Sequence, residues 1–261
     1  MSLSILAVTT LWWREITRFR RQRSRLFGAL GQPLVFWLLL GGGLNASFRP
    51  PGAFTGVSYM EYFYPGIMML VMLFTAIFAT ISVVEDRREG FLQGVLVAPV
   101  SRTSIVLGQA LGGTTLALLQ AVLMLIIAPL LGISLSMLSV LTVIAVLFWL
   151  AFSLTNLGLT IAWRMQSTQG FHAIMNLILM PIWLLSGAFF PSTGVPYWLV
   201  WVMWINPLTY GMAVLRRCLY LTQPAAAGVV PPLLPSLAVM LLFGAMTLWA
   251  AIYTAHRSST V

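Results

Sequence analysis

Long apolar stretches alternate along this chain with short segments that carry charges, glycines or prolines. A helix needs about 20 apolar residues to cross a bilayer, and in lipid its backbone groups must bond to one another. The alternating ten-residue segments of a membrane barrel are absent from the sequence. The pattern predicts an all-α integral membrane protein, a single domain over 1–261, with transmembrane helices near 26–46, 64–84, 105–131, 137–162, 170–190 and 233–255.

The N-terminal segment 1–25 predicts an amphipathic helix that lies in the membrane surface. One face carries Ile5, Val8, Trp12, Ile16 and Phe19, and the opposite face carries Arg14, Arg18, Arg21 and Arg25. Such a helix directs its arginines toward anionic headgroups. The basic residues come within and after the apolar run, which excludes a signal peptide. Two roles stay open, a topology anchor and a structural elbow leading into the first span.

Composition supports a membrane protein, and charge gives its orientation. The chain is 60% hydrophobic and 7% charged, with a formal charge of +9, whereas soluble domains are roughly 25% charged. The basic residues are all arginine, and they group by membrane side, which argues against nucleic-acid binding. A cytoplasmic N-terminus leaves only Arg49, Arg216 and Arg217 outside, so both termini are predicted to be cytoplasmic.

The segment 85–104, between the second and third predicted spans, is the strongest candidate for a partner site. Its charges are Glu85, Asp86, Arg87, Arg88, Glu89 and Arg102. Pro99 ends any helix near Ala98, and Ser101 or Thr103 can cap the next helix. We therefore predict a short helix across the cytoplasmic ends of two spans, with an ordinary charged loop as the alternative. Nearby, Gly108 and Gly112 form a G-x-x-x-G that favours close helix packing.

The segment 191–232 is extracytoplasmic in this topology, yet much of it is apolar. The stretch from Tyr197 to Ile205 is too short to span and is flanked by prolines, which predicts a re-entrant or interfacial helix. Its tryptophans suit that depth, although an aromatic belt without any gating role is the alternative. Arg216 and Arg217 are expected to meet lipid headgroups, with an anionic substrate or solvent as other possibilities.

The sequence lacks the residues that several kinds of chemistry require. The single Cys218 excludes an internal disulfide and a cysteine metal cluster, and the two widely separated histidines form no metal site. No lysine is present, so a G-x-x-x-x-G-K-[ST] phosphate loop is impossible, and any ATP-Mg must bind to another chain. No acidic residue falls within the predicted spans, which argues against an ion-coupled carrier. No catalytic, cofactor or metal site is predicted.

Two motifs carry a resemblance to a known family. One is R-E-G-x-L-x-x-x-L-V-A-P-V-S-R from Arg88 to Arg102, and the other is N-P-L-T-Y from Asn206 to Tyr210. Together with the predicted elbow and six spans, they resemble the permease subunits of type-2 ATP-binding-cassette (ABC-2) exporters over nearly the whole chain. Phe91 and Gln93 depart from the threonine and glutamate that family members often carry at these positions.

The resemblance implies a coupling helix from Glu85 to Arg102 that docks on a separate ATPase. Its polar contacts would be Arg87, Arg88 and Glu89, and its apolar contacts Phe91, Leu92 and Leu96; Pro99 and Ser101 complete the segment. The re-entrant pair would close the outer exit, with these gate candidates: Trp198, Trp201, Trp204, Asn206, Pro207, Arg216 and Arg217.

The resemblance also implies an assembly. Two permease copies, expected to be a homodimer in a bacterial-type inner membrane, would join two ATPase copies and export a drug, lipid or glycan-type substrate. A membrane scaffold or sensor that holds a cytoplasmic partner, and an ion-coupled carrier, are the alternatives.

Overall fold

The computed structural model describes residues 4–44 and 58–257. Nearly all of this part of the chain is helical, and it contains no strand. Its α-helices are α1 (Ile5–Arg21), α2 (Arg23–Leu44), α3 (Tyr59–Arg88), α4 (Phe91–Val97), α5 (Arg102–Ile127), α6 (Met137–Ala162), α7 (Thr168–Trp183), α8 (Tyr197–Ile205), α9 (Pro207–Leu219) and α10 (Leu233–Arg257).

The six predicted spans are confirmed as helices long and apolar enough to cross a membrane. The largest difference from prediction is in α3, which begins at Tyr59 and continues through Arg88. Its early start is explained by a capping box, in which Ser58 and Glu61 satisfy each other's backbone N–H groups. Because α3 runs past Val84, the charges 85–88 form the last turn of a span and do not begin a separate segment.

Helix α3 is the centre of the bundle. It contacts α2, α5, α6, α7 and α9, and 94% of its most apolar 18-residue window is buried. Close approach of its neighbours requires glycine: a Cβ on Gly158 of α6 would lie 2.6 Å from Thr80 Oγ1, and one on Gly66 2.8 Å from the carbonyl oxygen of Ala188. Small residues at such contacts are how membrane helices gain van der Waals packing.

Helix α1 packs along the first half of α5, on the predicted G-x-x-x-G. A Cβ on Gly108 would lie 2.8 Å from Leu11 Cβ, and one on Gly112 would lie 2.7 Å from Glu15 Cβ. The indole of Trp12 donates to Thr115 Oγ1 over 3.0 Å. The two glycines therefore serve helix packing within this chain.

Both ends of the described chain meet at the first turn of α5. The backbone N–H of Ser4 donates to Ser104 Oγ over 2.9 Å, and Arg102 Nη1 donates to the carbonyl of Ala255 over 3.3 Å. We call this end of the bundle, which includes α4, the α4 end. The opposite end holds α8, α9 and the first turn of α3, and we call it the α8 end.

The packing of α1 on α5 gives a test. We expect Gly112→Ala to lower the free energy of unfolding by about 1–3 kcal/mol, because the added Cβ overlaps Glu15. Denaturation in mixed micelles measures the change. The matched control is Gly31→Ala in α2, where a Cβ meets nothing within 4 Å and where alanine favours the helix. Equal effects of the two substitutions would contradict the close contact.

Candidate functional site at the α4 end

The turn from α3 into α4 is set by local sequence. Gly90 has φ +78°, a left-handed conformation that glycine adopts without strain. Helix α4 then runs for seven residues and ends at Val97, because Ala98 takes the extended backbone that a following proline favours. Ser101 accepts from the N–H of Ser104 and caps α5. The predicted short helix between the second and third spans is therefore present.

A buried carboxylate joins α1 to the end of α3. Asp86 is 1% exposed and accepts three hydrogen bonds from guanidinium groups. Arg14 binds it with both terminal nitrogens, over 2.7 and 2.6 Å, and Arg18 donates over 2.6 Å. The second terminal nitrogen of Arg18 pairs with Glu85 over 2.7 Å. Charged hydrogen bonds of this kind are about twice as strong as neutral ones.

This ion-pair cluster corrects the expectation for the face of α1. Arg14 and Arg18 were expected to point toward lipid headgroups, but they bind Asp86 and Glu85 within the chain. Helical periodicity placed them on the polar face correctly, yet it cannot say whether that face meets lipid or another helix. Arg21 is exposed at the end of α1, and the side chain of Arg25 lies outside the described residues.

Arg14 also connects α1 to α4. Its guanidinium carbon lies 3.9 Å from the ring centroid of Phe91, a cation–π contact. The same side chain thus binds the last turn of α3 and the first residue of α4. Arg14 is therefore a direct contact between α1, α3 and α4.

Glu15 is part of this cluster and was missed by the sequence analysis. It is 4% exposed, faces Gly112 of α5, and receives one bond from Arg14 over 3.2 Å. Burial raises the pKa of the Glu15 carboxyl above its ordinary value, and the nearby Arg14 charge offsets this only in part. The sequence contained a signal for its burial: Leu11, Glu15 and Phe19 are four residues apart, which places them on one face of α1.

Two more of the predicted docking charges make contacts within the chain. Arg87 donates to the carbonyls of Trp163 and Met165 over 2.6 and 3.2 Å, and these carbonyls follow the C-terminus of α6, where a cation is favourable. Arg102 reaches the carbonyl of Ala255 in α10. Arg87 and Arg102 therefore tie helix ends together in this structure.

Two of the three apolar residues predicted to contact a partner, Leu92 and Leu96, pack on the bundle, whereas Phe91 is exposed. Leu92 is 3% exposed, and Leu96 packs against the core one turn later. These two side chains pack α4 against the bundle. Phe91 and Val97 project outward, and Val97 is 87% exposed. The outward surface, which we call the α4 surface, consists of Arg88, Glu89, Phe91, Gln93, Val97 and Pro99.

At the α8 end, α8 and α9 form a helix pair bent by 83°. Asn206 sits at the bend: its side-chain oxygen accepts from the N–H of Leu208 over 3.0 Å, and its amide donates to the carbonyl of Ile182 over 2.6 Å. Pro207 follows as the first residue of α9, where proline is favoured. Trp198, Trp201 and Trp204 are exposed along α8, as interfacial tryptophans would be.

Arg216 and Arg217 occupy different environments in α9. Arg216 is 2% exposed, so its side chain lies inside the bundle and not on the outer surface. It donates to the carbonyl of Gly187 over 3.1 Å. Arg217 is partly exposed and donates to the carbonyl of Val230 over 3.2 Å.

These features define a multispanning helical membrane protein in which the short helix α4 packs against one end of the bundle. A family model described as ABC-2 type transporter matches residues 7–220. The chain belongs to this family; it is a membrane component of a transporter and not itself an enzyme.

Three relatives illustrate the similarity, and two of them are named as permeases. The transport permease ycf38 of Cyanophora paradoxa is 30% identical over 207 residues, covering 78% of this chain and 70% of the relative. Nodulation protein J of Rhizobium leguminosarum bv. trifolii is 30% identical over 220 residues, covering 82% and 80%. An Escherichia coli (strain K12) protein named as an ABC transporter permease, YbhR, is 29% identical over 161 residues, covering 59% and 42%.

We expect Asp86→Asn to lower the free energy of unfolding by about 3 kcal/mol, because two arginines lose the carboxylate that neutralises them. Denaturation in mixed micelles measures this. The control is Glu89→Gln, which removes a charge from an exposed side chain three residues after Asp86. It should change the free energy of unfolding by less than about 0.5 kcal/mol. An Asp86 variant as stable as the Glu89 variant would refute the role of the cluster.

Glu15→Gln should act in the opposite direction. A carboxyl whose pKa is raised by folding stabilises the folded state most below its unfolded pKa of about 4.5, and this contribution is lost as pH rises. The glutamine variant should therefore be more stable than the parent at pH 8, with the difference shrinking toward pH 4.5. Unfolding at a series of pH values tests this, and a pH-independent loss of stability would contradict it.

Proposed function

We propose that this chain is the permease subunit of an ATP-driven exporter, with α4 as the coupling helix and α1 as the elbow helix. The observation that carries the proposal is the α4 surface, an exposed patch with apolar and charged residues on a short helix. Leu92 fixes that helix to the bundle, and Arg14 fixes it to α1. An unattached loop could not pass a displacement on to the spans, whereas this helix can.

The partner we propose is an ATP-binding-cassette ATPase that binds ATP-Mg. The chain has no lysine for a phosphate loop of its own, and membership of the family supports such a partner. We propose two ATPase copies and two permease copies, with the substrate path between the two permeases. ATP binding would then favour one arrangement of the spans over another, a coupling between distant sites.

We propose that the α4 end faces the cytoplasm of a bacterial-type inner membrane. The described arginines of that end include Arg14, Arg18, Arg87, Arg88, Arg102, Arg164 and Arg257, against Arg216 and Arg217 at the α8 end. The preference of arginine for cytoplasmic loops supports this orientation. Helices α8 and α9 would then form the extracytoplasmic gate.

The proposed cargo is hydrophobic or amphipathic. The E. coli relative has the word multidrug in its name, which supports apolar small molecules, and export is the direction that we propose on the same grounds. Lipids and lipid-linked glycans fit the same apolar surfaces.

The decisive experiment disrupts the α4 surface without disturbing the bundle. The double variant Arg88→Glu with Val97→Asp alters two exposed side chains, so its unfolding midpoint should stay unchanged. We expect the amount of phosphate-loop ATPase that co-purifies in mild detergent to fall by roughly tenfold or more, and ATP-dependent transport in vesicles to fall with it. Quantitative mass spectrometry and a vesicle assay measure these two quantities.

The matched control is Arg164→Glu, the same charge reversal on another exposed arginine of the α4 end. It should leave both the bound ATPase and transport near the parent level. A preparation that contains no ATPase, or transport that persists without ATP, would reject the proposal in favour of a scaffold or an ion-coupled carrier.

A further inference from the structure

A cavity of about 370 Å³ opens at the α8 end. It lies between α9, the turn Leu184–Ala188 that follows α7, and the segment leading into α10. Its size is within the range of small-molecule sites. Most of its lining is apolar, and includes Met203, Met212, Val229, Val230, Pro231 and Pro235.

One charged side chain lines this cavity, and it is held rigidly. The guanidinium carbon of Arg216 lies 4.0 Å from the ring centroid of Tyr62, and Nη2 donates to the carbonyl of Gly187. The same carbonyl accepts from the hydroxyl of Tyr62 over 2.9 Å. Gly187 has φ +80°, a conformation that favours glycine. The second terminal nitrogen, Nη1, is buried and has no hydrogen-bond partner among the described residues.

Among the residues that the structure describes, Arg216 forms no ion pair. The protein has five acidic residues, and four of them, Glu15, Glu85, Asp86 and Glu89, lie in α1 and at the end of α3. The fifth, Glu61, accepts from the N–H of Ser58 in the capping box of α3. Within the described ranges, Arg216 has no acidic group inside 4 Å. A buried cation without a counter-ion is unfavourable, and an anionic ligand in the cavity would supply one for Arg216.

Three hydroxyl groups of the lining are already bound to the backbone. Ser186, Thr209 and Tyr210 donate their protons to backbone carbonyls of Trp183, Met203 and Trp204. Their positions are thereby fixed by the backbone. Arg216 is the charged side chain among the described residues that line the cavity.

We propose that this cavity binds a phosphate-type oxyanion at the guanidinium of Arg216, carried by an amphiphile whose apolar part lies along Met203, Val229 and Pro231. A free phosphate would fill only a small part of about 370 Å³ and would leave the apolar lining uncovered. The exposed Trp204 at the rim suits the depth of lipid headgroups. This site binds its ligand whether or not the chain works as an exporter.

The test measures binding to the purified full chain in an uncharged detergent, without ATPase or nucleotide. Calorimetry compares dioctanoyl phosphatidic acid, dioctanoylglycerol with the same tails, and inorganic phosphate. We expect phosphatidic acid to bind at least about tenfold more tightly than dioctanoylglycerol, the gain of a charged hydrogen bond. Competition by inorganic phosphate at equal concentration would identify a soluble anion as the ligand; no competition identifies the lipid.

Variants separate this site from general attraction to a basic protein. Arg216→Gln should weaken phosphatidic acid binding about tenfold or more. Arg164→Gln, which removes the same charge from an exposed side chain at the α4 end, should leave it unchanged. Equal losses in the two variants, or equal binding of dioctanoylglycerol and phosphatidic acid by the parent, would overturn the proposal.

If Arg216→Gln fails to fold, a second variant tests whether the cavity binds the lipid. Val229 lines the cavity and is 57% exposed, so Val229→Trp reduces the space and leaves Arg216 in place. It should weaken lipid binding while the unfolding midpoint stays near that of the parent. Unchanged binding by Val229→Trp would overturn the assignment of the cavity.

Discussion

Asp86 lies in the last turn of α3 with its carboxylate shielded from solvent by two arginines of α1. A buried charge must be paired by several hydrogen bonds or the fold loses several kcal/mol, so Asp86, Arg14 and Arg18 have to stay together. Because α3 is buried along its length by five other helices, fixing its end fixes the bundle. Arg14 then places Phe91, and through it the beginning of α4.

The two ends of the bundle balance their charges differently. At the α4 end, the carboxylates of Glu85 and Asp86 bind Arg14 and Arg18, and Arg87 binds helix carbonyls, so these three cations have partners within the chain. At the α8 end, Arg216 is buried against Tyr62 without a carboxylate. Structural charge is thus satisfied at one end, while the other end presents a cation to a cavity.

Much of the fold follows from the sequence, because the length of apolar runs and the positions of prolines are local properties. The six spans, the short helix before Pro99, the break before Pro207 and the close approach at Gly108 and Gly112 were all predictable in this way. The partners of charges were not, because they depend on which helices become neighbours. Arg87 and Arg88 are adjacent in sequence, yet a rotation of about 100° per residue sends one to α6 and leaves the other exposed.

The same limit applies to the buried residues of the candidate site. Leu92 and Val97 are both apolar, and only the packing of α4 on the bundle shows that one is an anchor and the other part of the α4 surface. Glu15 was hidden for a related reason. A single acid on an apolar face is visible in the spacing, but the glycine that makes room for it lies in a distant helix.

The packing of α1 on α5 has a consequence for biosynthesis. Ser4 bonds to Ser104, 100 residues further along the chain, and a ribosome adds about 5–20 residues per second. The N-terminal helix is therefore made roughly 5–20 s before its seat exists. During that interval its apolar side chains and its arginines lack the partners that α3 and α5 later supply, and the membrane surface suits its amphipathic pattern. Its amphipathic pattern thus serves the nascent chain first, and the ion pairs with Glu85 and Asp86 replace that surface once the later helices have inserted.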